Sequence, residues 1–163
     1  MLVTKKLSNN NTWININSDE ITKHSKVYEE YDIDPKTLEY ALDENEHAHM
    51  DYDREDGTVT FIYSVLEFKK DKEYYETVPM TFIVQKNRLL TISNEDNDYI
   101  IQKMCSYVDT NEELSIYTLL FAGLEMISNA YYPVIERLDK QKDEINHLLR
   151  KKTTKRNLYA LSD

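Results

Sequence analysis

Three apolar segments joined by short connections decide the fold: TVTFIYSVLEF at 58–68, ETVPMTFIVQ at 76–85 and LLTIS at 89–93. Their β-branched and aromatic residues are typical of strands. The connections are too short for a parallel return, which needs a crossover of about a dozen residues or more. The segments therefore predict consecutive antiparallel hairpins within a mainly antiparallel sheet.

Shorter elements surround these hairpins. Ser18 or Asp19 can cap a first helix, since short polar side chains accept hydrogen bonds from the free amides of the first turn. Asp34 and Pro35 predict the start of a second helix, because proline in the first turn loses no hydrogen bond. The predicted elements are strands at 2–7, 12–17 and 47–53, and helices from 18 or 19 to about 31, from 35 to about 45, and at 97–107.

The apolar residues from 112 to 150 follow a different period. They are spaced alternately three and four apart, which is the a/d pattern of a helix with a coiled-coil-like face. Residues 109–111 are expected to cap this helix, and Pro133 predicts a kink because it removes the hydrogen bond to the Asn129 carbonyl. The pattern fits packing on the domain's own sheet or a returning helix, with self-association as the alternative. The apolar seam comprises Tyr117, Leu120, Leu124, Ile127, Tyr131, Val134, Leu138, Ile145 and Leu148, with Gln141 as its polar member.

Composition excludes several classes of protein. The 163 residues include 20 Lys and Arg against 30 Asp and Glu, and a net charge of −10 argues against nucleic acid as the main partner. The two glycines, Gly57 and Gly123, cannot form the glycine-rich loops that hold nucleotide phosphates. Cys105 is the only cysteine, which is typical of a reducing compartment. No segment reaches the roughly 20 apolar residues of a membrane-spanning helix.

Charge is segregated along the chain. Residues 29–56 contain twelve acidic and two basic residues, whereas residues 140–163 contain seven basic and three acidic ones. The basic segment fits a solvated helix end, a partner for acids of a neighbouring subunit, or a position near anionic lipid. A further helix beginning at Lys155 reaches Asp163 after about two turns without Gly, Pro or a cap. We therefore expect the sequence to be a piece of a longer chain.

Two sets of residues have side chains suited to cations. His47, His49, Asp51 and Asp53 alternate along the predicted strand, so their side chains are expected on one face. Imidazole and carboxylate groups suit a divalent ion such as zinc or manganese. A polar edge strand that prevents aggregation is the simpler interpretation. A metal-dependent hydrolase that uses His47, His49 and Asp51 remains an alternative.

The second set lies on the helix after Pro35. Glu39, Asp43 and Glu46 follow helical spacing, and clustered carboxylates bind Mg²⁺ weakly, often through water. A solvated helix face explains the same pattern. Neither a Ser–His–Asp nor a Cys–His arrangement can be recognised, so the sequence does not predict an enzyme.

The order and spacing of these segments resemble the CorA family of magnesium channels. The similarity extends over nearly the whole chain from about Thr12, and it consists of packing patterns in a fixed order. The segments that carry it are WINI (13–16), IDP (33–35), LEYALD (38–43), the strand at 59–68, PMTFIV (79–84), NRLLTI (87–92), YYPVIERLD (131–139) and KRNL (155–158).

The resemblance implies an α+β fold in which a mixed, mainly antiparallel sheet forms an α/β/α sandwich. A regulatory domain at 1–110 would precede long helices at 111–163 that lead toward the membrane. The full-length protein would be a homopentamer in the cell membrane, with this domain on the cytoplasmic side and membrane contact only through missing C-terminal segments. The piece would be a monomer or a dimer. The chain ends before the family's Gly-Met-Asn selectivity motif, so the piece alone is not expected to transport ions.

The resemblance also implies a ligand and a site. Mg²⁺ would be the transported and regulatory ion, with Co²⁺, Ni²⁺ or Zn²⁺ as alternatives and no required cofactor. The family senses intracellular Mg²⁺ through carboxylates at subunit interfaces, and bound Mg²⁺ favours the closed state. Glu39 and Glu125 match two of these acidic positions, whereas Tyr40 stands where the family often has Asp. The alternative function is a soluble interaction protein that dimerises through the helix at 114–149.

Overall fold

The computed structural model describes residues 2–22, 24–67, 75–151 and 159–160. Six strands, four α-helices and one short 3-10 helix, Ser8–Asn10, are defined in this part of the chain. The strands are β1 (Leu2–Lys6), β2 (Thr12–Asn17), β3 (His49–Tyr52), β4 (Val59–Leu66), β5 (Thr77–Gln85) and β6 (Arg88–Ser93). The helices are α1 (Lys26–Glu30), α2 (Pro35–Ala41), α3 (Asp98–Thr110) and α4 (Ile116–Lys151).

The strands form one mixed sheet in the order β1-β2-β6-β5-β4-β3. The strands β3, β4, β5 and β6 pair antiparallel, and so do β1 and β2. Within the described sheet only β2 and β6 pair in parallel, with Trp13 opposite Leu89 and Ile16 opposite Ile92. The prediction of a mixed, mainly antiparallel sheet is therefore confirmed.

Helices α1 and α2 cover one face of the sheet. Strand residues such as Ile14, Ile83 and Leu90 form a buried cluster with Tyr28 of α1. Leu38 of α2 packs against the same cluster. These contacts hold α2, which carries Glu39 and Tyr40, directly on the sheet.

Helix α3 and the first part of α4 cover the opposite face. Gly123 of α4 lies so close to Phe82 of β5 and Met104 of α3 that a Cβ atom there would come within 3.1–3.3 Å of their side chains. Leu120 and Ile127 are buried on this side of α4, whereas Tyr117 is 63% exposed. The two helix layers confirm the predicted α/β/α sandwich.

A chain of buried hydrogen bonds joins β2 to β6 on the α3 side. Trp13 Nε1 donates to Thr91 Oγ1 at 3.0 Å, and Thr91 Oγ1 donates to Asn15 Oδ1 at 2.7 Å. Asn15 Nδ2 then donates to Ser93 Oγ at 3.0 Å. Because all four side chains are at most 2% exposed, each polar atom depends on its neighbour rather than on water.

Thr91→Val tests this chain of hydrogen bonds. Valine has a similar shape but leaves the Trp13 N–H and the Asn15 carbonyl without their partner, so we expect the free energy of unfolding to fall by about 2–4 kcal/mol. Urea denaturation measures the change. Thr77→Val, at an exposed position of β5, is the matched control and should change stability by less than about 0.5 kcal/mol. Equal losses in the two variants would contradict the assignment.

The predicted start of the first helix was wrong. Ser18 Oγ donates to the Ser93 carbonyl at 3.0 Å, and Asp19 Oδ2 accepts from the Glu95 amide at 2.6 Å. Both polar side chains are therefore engaged with the segment at the end of β6 rather than with a helix. Helix α1 starts later, after Ser25, whose hydroxyl accepts from the Val27 amide.

The predicted caps of the long helix were also wrong. Helix α3 continues to Thr110, and Asp109 instead forms an ion pair with Lys5 at 2.6 Å. Helix α4 begins at Ile116, and the hydroxyl of Ser115 accepts from the amide of Thr118 at 3.0 Å. The prediction failed because residues 109 and 110 belong to the last turn of α3, and Asp109 is paired with Lys5 of β1.

Two other elements, α2 and β3, are shorter than predicted. Helix α2 ends at Ala41 instead of near residue 45, because the Asp43 carboxylate accepts from the Asn45 amide and forms a turn. Strand β3 covers only His49–Tyr52 of the predicted 47–53. Residue 68 of the fourth predicted strand, and most of the helix predicted from residue 155, lie outside the described residues.

The chain divides into two compact units, Met1–Ile127 and Ser128–Asp163. The first contains the sheet, α1 to α3 and the start of α4. The second contains the rest of α4, which stays helical through Pro133, so a kink there remains a prediction. The functional division at residue 110 also remains a prediction.

Candidate functional site

Asp34 positions the helix that carries Glu39 and Tyr40. Its Oδ1 accepts from the amides of Lys36 at 2.9 Å and Thr37 at 3.0 Å, so Asp34 caps α2 as predicted. Desolvation by the fold would raise the pKa of Asp34, but the hydrogen bonds from Thr37 and Lys36 together outweigh it and lower this pKa below its usual value.

Asp34→Ala should destabilise the domain in a pH-dependent way. Loss of an N-cap costs about 1 kcal/mol at neutral pH. The pKa of Asp34 is lower in the folded state than in the unfolded chain, so its contribution is complete above the unfolded value of about 3.9. That contribution is lost as the pH falls through the folded pKa.

Urea unfolding of both proteins from neutral to acidic pH measures this difference. The stability gap between the natural chain and Asp34→Ala should shrink in acid. Glu30→Ala, at an exposed position near the end of α1, is the control and should show no comparable gap. A gap that stays constant across the titration would show that the Asp34 carboxylate does not act through its charge.

Glu39 and Tyr40 differ in their surroundings. Glu39 is exposed on α2 and faces solvent. Tyr40 is half-buried, and its ring packs edge-on against the His49 ring with 5.4 Å between the ring centroids. The ammonium of Lys36 lies 5.5 Å from the Tyr40 ring centroid. At the position where the resemblance leads one to expect a carboxylate, this chain therefore has an aromatic contact between α2 and β3.

His49 and Asp51 share one face of β3, as predicted, but each has a different neighbour. His49 Nδ1 lies 2.9 Å from the His47 carbonyl oxygen and 3.5 Å from the Glu46 carboxylate. Asp51 lies 3.9 Å from the Lys36 ammonium. The two side chains thus interact with neighbours near α2 rather than with one another.

His47 and Asp53 lie outside β3, so the expectation that four side chains alternate along one strand was wrong. His47 lies in the irregular stretch between α2 and β3, where its amide donates to the Glu46 carboxylate, and Asp53 begins the turn to β4. Among the residues that the structure describes, no three His, Cys, Asp or Glu side chains are grouped so that they could hold one metal ion. A metal role for His47, His49 and Asp51 remains a prediction that would need further ligands.

Glu125 lies on the exposed side of α4. It continues a row of residues four apart with Tyr117 and Phe121, which are 63% and 66% exposed. Large apolar side chains that remain this exposed on a helix indicate a surface covered by another element or molecule. Glu125 is therefore a carboxylate at the border of an apolar surface.

The structure also contains an acidic cavity that the sequence did not single out. It measures about 340 Å³ and lies between the start of α2 and the hairpin that joins β3 to β4. Lys36 and Arg54 line it together with five aspartates. The excess of acids in 29–56 was the available signal, but only the fold brings the hairpin beside α2. The aspartates are Asp32, Asp34, Asp51, Asp53 and Asp56.

Three solved structures have a similar fold. Full-length CorA magnesium transporter from Methanocaldococcus jannaschii is 22% identical, with a TM-score of 0.66 over 91% of this chain. The soluble domain of the same CorA gives 22% identity and a TM-score of 0.64 over 91% of the chain. The ZntB cytoplasmic domain from Vibrio parahaemolyticus gives 11% identity and a TM-score of 0.63 over 93%. These identities support similarity of fold.

The lengths of the matched proteins differ from that of this chain. It spans 47% of the full-length CorA, 59% of the CorA soluble domain and 63% of the ZntB domain.

A search of curated proteins gives no match to the sequence. None of the helices in the described ranges combines the length and the apolar character needed to cross a membrane.

The sequence also matches a family model. The match covers residues 8–163, which is almost the whole chain, and the model describes a CorA-like Mg²⁺ transporter protein. The mixed sheet between two helix layers agrees with this match. The chain belongs to the CorA-like Mg²⁺ transporter family.

Proposed function

We propose that this chain is the cytoplasmic, Mg²⁺-sensing part of a CorA-type channel for divalent metal cations. The observation that carries the proposal is the family match over residues 8–163. Mg²⁺ would be both the transported and the regulatory ion, with Co²⁺, Ni²⁺ or Zn²⁺ as alternative cargoes. Transport would depend on chain beyond this piece, and the piece would act by controlling that transport rather than as an enzyme.

The sensing role is supported by carboxylates placed singly on exposed surfaces. Glu39 lies on α2 and Glu125 lies on α4, and both face solvent. Since no metal-binding trio occurs among the described side chains, a regulatory site would combine carboxylates from two subunits. Mg²⁺ suits such a site because it retains much of its hydration shell and bridges carboxylates through water.

Assembly provides the coupling between binding and gating. Each chain carries a net charge of −10, so subunits in a homopentamer repel one another. Mg²⁺ held between them offsets that repulsion and stabilises the assembled, closed state. With Tyr40 in place of a carboxylate, the site holds one negative charge fewer per subunit, and we propose a correspondingly weak response to Mg²⁺.

Ion flux tests the transport proposal. The product of the complete gene, reconstituted in liposomes that enclose a Mg²⁺-sensitive dye, should admit Mg²⁺ or Co²⁺ down an imposed gradient. Empty liposomes and liposomes with the present chain alone are the controls, and neither should show flux. Absence of flux for every divalent ion tested would contradict the proposal.

A second candidate function is dimerisation through the helix at 114–149. Exposed apolar side chains along α4 favour it, including Tyr132, Ile135, Leu138 and Leu148 in the second unit. Sedimentation of the present chain distinguishes the candidates. A stable dimer that dissociates when Leu124 and Tyr131 are replaced by polar residues, together with absence of flux from the complete protein, would favour the interaction protein.

Tyr40→Asp tests the sensing site. An added carboxylate about 4 Å from a solvated ion contributes about 1 kcal/mol, so the Mg²⁺ concentration for half-maximal inhibition of flux should fall about fivefold. Tyr40→Phe keeps the ring beside His49 and adds no charge, so it should leave inhibition unchanged. Tyr52→Asp adds the same charge at a 55% exposed position of β3 and controls for net charge.

Two outcomes of this experiment would contradict the assignment of the site. Equal shifts from Tyr40→Asp and Tyr52→Asp would indicate a general effect of charge. Equal shifts from Tyr40→Asp and Tyr40→Phe would indicate that the change arises from loss of the Tyr40 hydroxyl rather than from a new carboxylate.

A further inference from the structure

We draw no further inference here: the strongest candidate, the open cavity of about 500 Å³ that α3 borders beside β1 and β2, carries none because its acidic residues, Glu20, Glu95 and Asp98, have interactions of their own and no second feature among the residues described around it points to a ligand.

Discussion

The parallel pairing of β2 with β6 is the constraint on which the rest of the fold depends. It joins residues 76 apart in the sequence through Asn15 and Thr91, and it places the N-terminal hairpin beside the hairpins formed later in the chain. Hydrophobic burial alone would accept several registers of such a pair. The buried hydrogen bonds that run from Trp13 to Ser93 are compatible with only one register, because a shift would leave several polar groups unpaired at once. The same register places Asn17 opposite Ser93, at the end of β6.

The candidate functional residues lie on the helices that cover the two faces of the sheet. On one face, the capped helix α2 presents Glu39 to solvent and directs Tyr40 onto His49. On the other face, α3 borders an open cavity of about 500 Å³ beside β1 and β2, and α4 presents Glu125 beside exposed aromatic residues. Acids at surfaces are the feature shared by both faces, in keeping with the net charge of −10.

Predictions from the sequence succeeded where contacts are local and failed where they are not. The hairpins between β4, β5 and β6 follow from strand propensity and short connections, and Asp34 caps α2 through its own neighbours. The expected caps at Ser18 and 109–111 failed because Ser18 and Asp109 bind Ser93 and Lys5 instead. For the candidate site, the acidic stretch was visible in the sequence. The short length of β3, which leaves His47 and Asp53 outside the strand, was not visible.

The amino-acid sequence was sufficient for the fold class and the acidic character, because periodicity, short connections and charge are properties of neighbouring residues. The family followed from the resemblance of its segments, in their order and spacing, to those of a known family. The cavity beside Asn17 and the packing of Tyr40 on His49 arise from contacts between distant segments. Nothing in the spacing of Asn17, Asp98 and Cys105 indicates that they border one cavity. Their proximity depends on the register of β2 against β6 and on the packing of α3 over that pair, which are set by burial and by the satisfaction of buried polar groups.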